Sequence, residues 1–143
     1  MSYVVDASVA VKWVVAESET ADALAFLQRE RPRGLVAPDL LVAEVSNVAW
    51  KKARLGEIDR LQALEAARRI GLTMTRFYPS RFLNQRALEI AMEIDHPLYD
   101  CLYLACSEAE GALLVSIDSR MARKLAGTRY SQRFIDLVEA LKR

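Results

Sequence analysis

Short apolar runs alternate along this chain with longer stretches in which apolar positions recur every three or four residues. The run Tyr3-Val4-Val5 predicts a buried strand over residues 2–6, followed by a short helix near 8–15. Ser18 or Thr20 then caps an expected helix to about Arg31, with Ala21, Leu24 and Ala25 facing inward. Pro32-Arg33-Gly34 interrupts it, and Leu35-Val36-Ala37 is a second strand. Pro38 opens a helix to about Leu55, with Gly56 just beyond its end. Asp59 and Gln62 are spaced for a capping box on a helix over 60–70, which Gly71 is expected to stop. A short strand over 72–78 and a helix over 81–95, inward at Leu83, Ala87, Ile90 and Ile94, come next. After Pro97, Leu98, Cys101, Leu102, Ala105, Cys106 and Ala109 fall on one helical stripe. A strand over 112–117, a helix over 120–126 and an amphipathic segment over 132–141 complete the pattern. Strands alternating with helices predict an α/β fold with a mainly parallel central sheet flanked by helices on both faces.

Four acids occupy particular places in that pattern. Asp6 and Asp118 close the first and last apolar runs, while Glu44 and Asp100 interrupt largely apolar helices. In an open α/β sheet, ligands bind at the carboxyl ends of the strands, so the four are expected in one acidic pocket. Crowded carboxylates repel, and their pKa values rise unless a cation neutralises them. An oxygen-rich, histidine-free donor set suits Mg²⁺ or Mn²⁺ rather than zinc. Each acid also has a structural reading. Ser8 and Asp118 sit where helix caps sit, Glu44 could be solvated, and Asp100 lies in a first turn where the helix dipole favours a negative charge. Glu44, Asn47 and Lys51 share one helix face, opposite Leu41, Val45, Val48 and Ala49.

Composition narrows the classes. The chain has 143 residues, 52% hydrophobic and 27% charged, which suits one soluble globular domain over 1–143. Asp6 and Lys12 interrupt the best candidate for a membrane span, and the N-terminus has no basic region of the kind that opens a signal peptide. A cytoplasmic location is therefore expected. Cys101 and Cys106 are five residues apart on one helix and read as buried, reduced thiols. Net charge is +1, but setting the four acids aside leaves a basic excess. Arg120, Arg123, Lys124, Arg129 and Arg133 form an acid-free basic run that could face a phosphate backbone or simply solvent. Trp13 and Trp50 read as packing residues, with an interface as the competing role, and His96 reads as a surface or capping residue.

Taken together, Val4-Val5-Asp6-Ala7-Ser8-Val9-Ala10, Glu44 with Asn47, Tyr99-Asp100-Cys101-Leu102-Tyr103-Leu104-Ala105 and Leu114-Val115-Ser116-Ile117-Asp118 resemble the PIN-domain nucleases, specifically VapC-like toxins of type II toxin–antitoxin systems. The resemblance covers essentially the whole chain. It implies a metal-dependent ribonuclease that hydrolyses RNA phosphodiester bonds, with Asp6, Glu44, Asp100 and Asp118 as acidic ligands of Mg²⁺ or Mn²⁺. Ser8, Asn47 and Ser116 match the family's supporting polar positions, where Ser116 often stands as Thr. A homodimer, a higher toxin–antitoxin oligomer and a VapB-like antitoxin whose tail occupies the active-site groove are further implications. Lys51, Arg120, Arg123 and Lys124 are candidate RNA contacts on charge alone. Two enzymatic alternatives fit less well. A haloacid-dehalogenase-like phosphatase wants an aspartate where Ser8 stands, and a receiver domain wants an acidic pair after its first strand. A catalytically silent PIN-like module that binds RNA or protein remains the non-enzymatic alternative.

Overall fold

A computed structural model describes residues 2–15 and 17–143; Met1 and Ala16 lie outside the described residues. Among these residues five strands, β1 (Tyr3–Val5), β2 (Leu35–Pro38), β3 (Arg76–Tyr78), β4 (Leu113–Ser116) and β5 (Phe134–Asp136), form one sheet in the order β3-β2-β1-β4-β5. Every neighbouring pair is parallel. Tyr3, Val4 and Val5 are all buried although successive residues point to opposite faces, so both faces at the centre of the sheet are covered. Among the described residues, eight α-helices provide the cover: α1 (Ala7–Val14), α2 (Thr20–Glu30), α3 (Leu40–Arg54), α4 (Arg60–Thr73), α5 (Asn84–Ile94), α6 (Leu98–Glu110), α7 (Ser119–Leu125) and α8 (Leu137–Leu141). Helix α6 runs along β1, β2 and β4 with α5 packed on it, and α1 lies against β4 with α2, α3 and α4 around it.

Local chemistry accounts for most boundaries. The Asp59 carboxylate accepts from the Gln62 amide while the Gln62 side chain accepts from the Asp59 amide, the capping box expected from sequence. Gly56 takes φ +76° just past α3, a conformation glycine adopts without strain. Cys101 and Cys106 are buried free thiols, and burial pushes them up to about 11 and about 12, so they stay protonated.

Several expectations are corrected. Helix α2 turns Ala23, Phe26 and Glu30 inward, leaving Ala21, Leu24 and Ala25 exposed. Buried Glu30 explains the misreading: it occupies a core-facing position, paired with Arg29 at 2.7 Å, and breaks the apolar stripe. Gly71 lies inside α4, which runs on to Thr73, so β3 begins only at Arg76. Pro38 ends β2 rather than opening α3. The segment 132–141 is not one amphipathic element, because Phe134–Asp136 adds a strand beside β4 before α8 begins. Trp13 is buried, with its indole N–H donating to the Ala23 carbonyl at 2.8 Å, whereas Trp50 is exposed and is no core residue.

Helix α6 is buried over nearly its whole circumference, so its packing carries much of the fold. Leu104→Ala is expected to destabilise the protein by about 2–5 kcal/mol. Leu88→Ala, on the exposed side of α5, should change stability by no more than about 0.5 kcal/mol. Urea unfolding of the two variants checks both values.

Candidate active site

The strand order reverses at β1. The chain moves outward from β1 through β2 to β3, then returns by way of α6 to place β4 on the other side of β1. The crevice beyond the carboxyl ends of β1 and β4 is therefore the position at which open α/β sheets bind ligands. The β1–β4 register pairs Val5 with Val115, so the residues that follow, Asp6 and Ser116, meet at that edge.

Asp6 is buried and is held through one oxygen. The Ser8 hydroxyl donates to its Oδ2 at 2.6 Å and the Ser116 hydroxyl donates to the same atom at 2.8 Å. Ser116 also accepts from the Asp118 amide at 3.0 Å, tying β4 to the start of α7. Although Asp6 occupies the position before α1, its side chain makes no capping hydrogen bond, and Ser8 is no cap either. Burial pushes the Asp6 carboxyl up from its ordinary value; the two serine hydrogen bonds oppose this, and the charges of Asp100 and Asp118 add to it.

The other three acids come from three helices. Glu44, on the second turn of α3, accepts a hydrogen bond at Oε1 from the Tyr103 hydroxyl of α6. Burial, with the charges of Asp6 and Asp100, pushes Glu44 up to about 7 against the lowering effect of Tyr103. Tyr103 is itself pushed well above its ordinary value, chiefly by burial and then by the Glu44 charge, so it remains a donor. Asp100, in the first turn of α6, pairs through Oδ2 with His96 Nε2 at 2.6 Å. Asp118 does cap α7, its Oδ1 accepting from the Arg120 and Met121 amides at 2.9 and 3.2 Å. A cleft of about 220 Å³ is lined by His96, Pro97, Asp100, Asp118, Arg120 and Met121.

A shared feature runs through the four carboxylates. Each spends one oxygen on hydrogen bonds within the protein, and its second oxygen has no hydrogen-bond partner among the described residues. That second oxygen also keeps access to solvent, because no buried side-chain oxygen or nitrogen is left unsatisfied among the described residues. Hard carboxylate oxygens suit Mg²⁺ or Mn²⁺. Among the described residues, however, no three His, Cys, Asp or Glu side chains converge into a closed metal-binding group. The donor set therefore fits a cation that keeps several waters and touches one or two carboxylates directly.

The remaining sequence candidates divide. Ser8 and Ser116 join the site, whereas Asn47 is exposed and makes no side-chain hydrogen bond among the described residues. Arg120 lines the cleft, and Lys51, Arg123 and Lys124 are exposed. The basic run does not act as one patch: Arg129 is committed to a bidentate pair with Glu93, and Arg133 reaches the Ser107 carbonyl. His96 and Tyr103 are the site residues that sequence reasoning passed over. The i, i+4 spacing of His96 and Asp100 was the available signal for the first.

A PIN domain family model matches residues 3–126. The protein named exonuclease VapC9 from Pyrobaculum aerophilum is 30% identical over 88 residues, which cover 62% of this chain and 65% of that protein. The chain thus matches slightly less than two thirds of that relative's length. The crystal structure of PAE2754 from Pyrobaculum aerophilum aligns with a TM-score of 0.74 at 24% identity, covering 99% of this chain and 93% of that one. It is a likeness of fold.

The raised Glu44 pKa makes the metal-free protein's stability depend on pH. A carboxyl near 7 when folded and 4.5 when unfolded contributes stability that is complete below about pH 4.5 and lost as pH rises through 7. Glu44→Gln is expected to lose less stability than wild type between pH 5 and pH 8. Urea unfolding in EDTA at the two pH values measures the difference.

Proposed function

The chain belongs to the PIN-domain family, and from that premise we propose that it is a Mg²⁺- or Mn²⁺-dependent ribonuclease, the VapC-like toxin of a toxin–antitoxin pair. The observation that carries this reading is the set of four carboxylates around the β1–β4 crevice, each with one oxygen anchored and one left for a ligand. A divalent cation bound there would acidify an attacking water and neutralise charge on the scissile phosphate.

The protein's own residues divide the remaining tasks. Asp6, Asp100 and Asp118, with Glu44, would hold the cation, one or two of them directly and the others through its waters. Ser8 and Ser116 fix Asp6 by occupying Oδ2, which leaves Oδ1 to turn toward the crevice. Tyr103 holds Glu44 across the gap between α3 and α6. Arg120 on the cleft wall, with the exposed Lys51, Arg123 and Lys124 as further candidates, would draw the phosphate backbone toward the acids. No helix among the described residues is long and apolar enough to cross a membrane, and a cytoplasmic RNA substrate fits that reading.

Toxin status carries two further proposals, a VapB-like antitoxin and a homodimer that can enter a larger toxin–antitoxin oligomer. Exposed Trp50 supports an interface on α3, since it lies at a shallow apolar groove with Ala49, Ala53, Ala63 and Leu64. A second reading, a silent PIN-like module that binds RNA or protein, is favoured by one observation: the absence of a closed metal-binding group among the described residues.

Cleavage of a pool of structured RNAs separates the two readings. Wild type is expected to make discrete cuts with Mg²⁺ or Mn²⁺ and none in excess EDTA. Asp6→Asn should slow cleavage on the order of a hundredfold or more, the scale on which loss of one preorganised electrostatic group is felt. Folded wild type that cuts no RNA under either metal supports the silent module instead.

A further inference from the structure

His96 is the single histidine of the chain, and it is fixed from three sides. The chain leaves α5 through Asp95 at φ +53°, a left-handed conformation that side-chain-bearing residues adopt at some cost. The turn is closed by the His96 amide, which donates to the Ala91 carbonyl at 3.1 Å. The Cys101 thiol lies 3.9 Å from the His96 carbonyl oxygen. The imidazole is mostly buried, with 15% of its side chain exposed, and its Nε2 is 2.6 Å from Asp100 Oδ2.

This is more than a cap needs. A capping side chain satisfies a backbone group at a helix end, yet the His96 ring hydrogen-bonds a carboxylate that faces the cleft. Strain at Asp95 immediately before such a residue is of the kind that accumulates at functional sites.

We infer that His96 is a positioning residue for Asp100: its Nε2–H holds Oδ2 and so directs Oδ1 into the cleft shared with Asp118 and Arg120. The inference rests on the reading of that cleft as a cation site. Without the imidazole, Asp100 would sample other rotamers in the first turn of α6, and part of the affinity would go into ordering it. Partners that hydrogen-bond a metal-ligating side chain typically account for about 10–100-fold in metal affinity. Usually a carboxylate steadies a ligating histidine; here the imidazole steadies the carboxylate.

The test is Mn²⁺ affinity of the metal-free protein, read by electron paramagnetic resonance of unbound Mn²⁺, for wild type, His96→Ala and His96→Gln at one pH, with thermal unfolding in parallel. Gln places an amide donor near the position of Nε2. The expected result is Mn²⁺ affinity about 10–100-fold weaker for His96→Ala, largely restored by His96→Gln, with RNA cleavage following the same order. If His96→Ala does not fold, His96→Leu keeps the bulk without the donor and should show the same loss. Wild type and His96→Ala with equal affinity would overturn this inference alone. Equal losses in the Ala and Gln variants would also overturn it, because the donor would then not be what matters. Wild type that binds no Mn²⁺ overturns the cation reading, and this inference with it.

Discussion

A carboxylate buried at the end of the central strand sets the terms for everything around it. Asp6 leaves solvent where β1 ends, and burial of an anion is tolerated only with partners. Two serines provide them, one from α1 and one from β4. Those hydrogen bonds require β1 and β4 to be neighbours in one particular register. The same Ser116 hydroxyl accepts from the Asp118 amide, so the anchoring of one acid also positions the next. The fold and the site are therefore one constraint: shifting β4 by a residue would turn Ser116 away and leave Asp6 without half of its support.

The other carboxylates repeat the arrangement with different partners. Tyr103 serves Glu44, His96 serves Asp100, and the first turn of α7 serves Asp118. In each case a rigid element fixes one oxygen and leaves the other available. What the protein does not supply is neutralising charge at the centre. Arg120 stands on the cleft wall, but no salt bridge joins it, or any other arginine or lysine, to the four acids among the described residues. Burial first, and then the charges of the neighbouring carboxylates, push Asp6 and Glu44 up, and the proposed divalent cation would offset the second of these.

Much of this was legible in the sequence because it is local. Apolar runs ending in Asp6 and Asp118 marked the central strands and placed two acids at their ends, and the Asp59–Gln62 box announced α4. What escaped was written in tertiary contacts. Buried Glu30 broke the stripe of α2, so Ala21, Leu24 and Ala25 were assigned the inward face that belongs to Ala23 and Phe26. The three residues of β5 owe their extended form to pairing with β4, and within 132–141 they carry no periodicity that distinguishes them from a helix. Gly71 is tolerated inside α4, where packing of Ala66 and Ile70 outweighs its weak helix propensity. Pairings across the pocket, such as Glu44 with Tyr103, join residues far apart in the chain and leave no trace in spacing.

The central claim is that Glu44, raised to about 7, is held partly protonated until the proposed cation neutralises it. Proton release on Mn²⁺ binding tests this directly, measured by calorimetry near pH 7 in buffers of different ionisation enthalpy. A metal that displaces the proton of Glu44, raised to about 7, should release a clear fraction of a proton per ion at pH 7, and less at pH 8.5, where that group is already ionised. Binding without proton release at either pH would contradict the claim, because Glu44 would then be fully charged before the metal arrives.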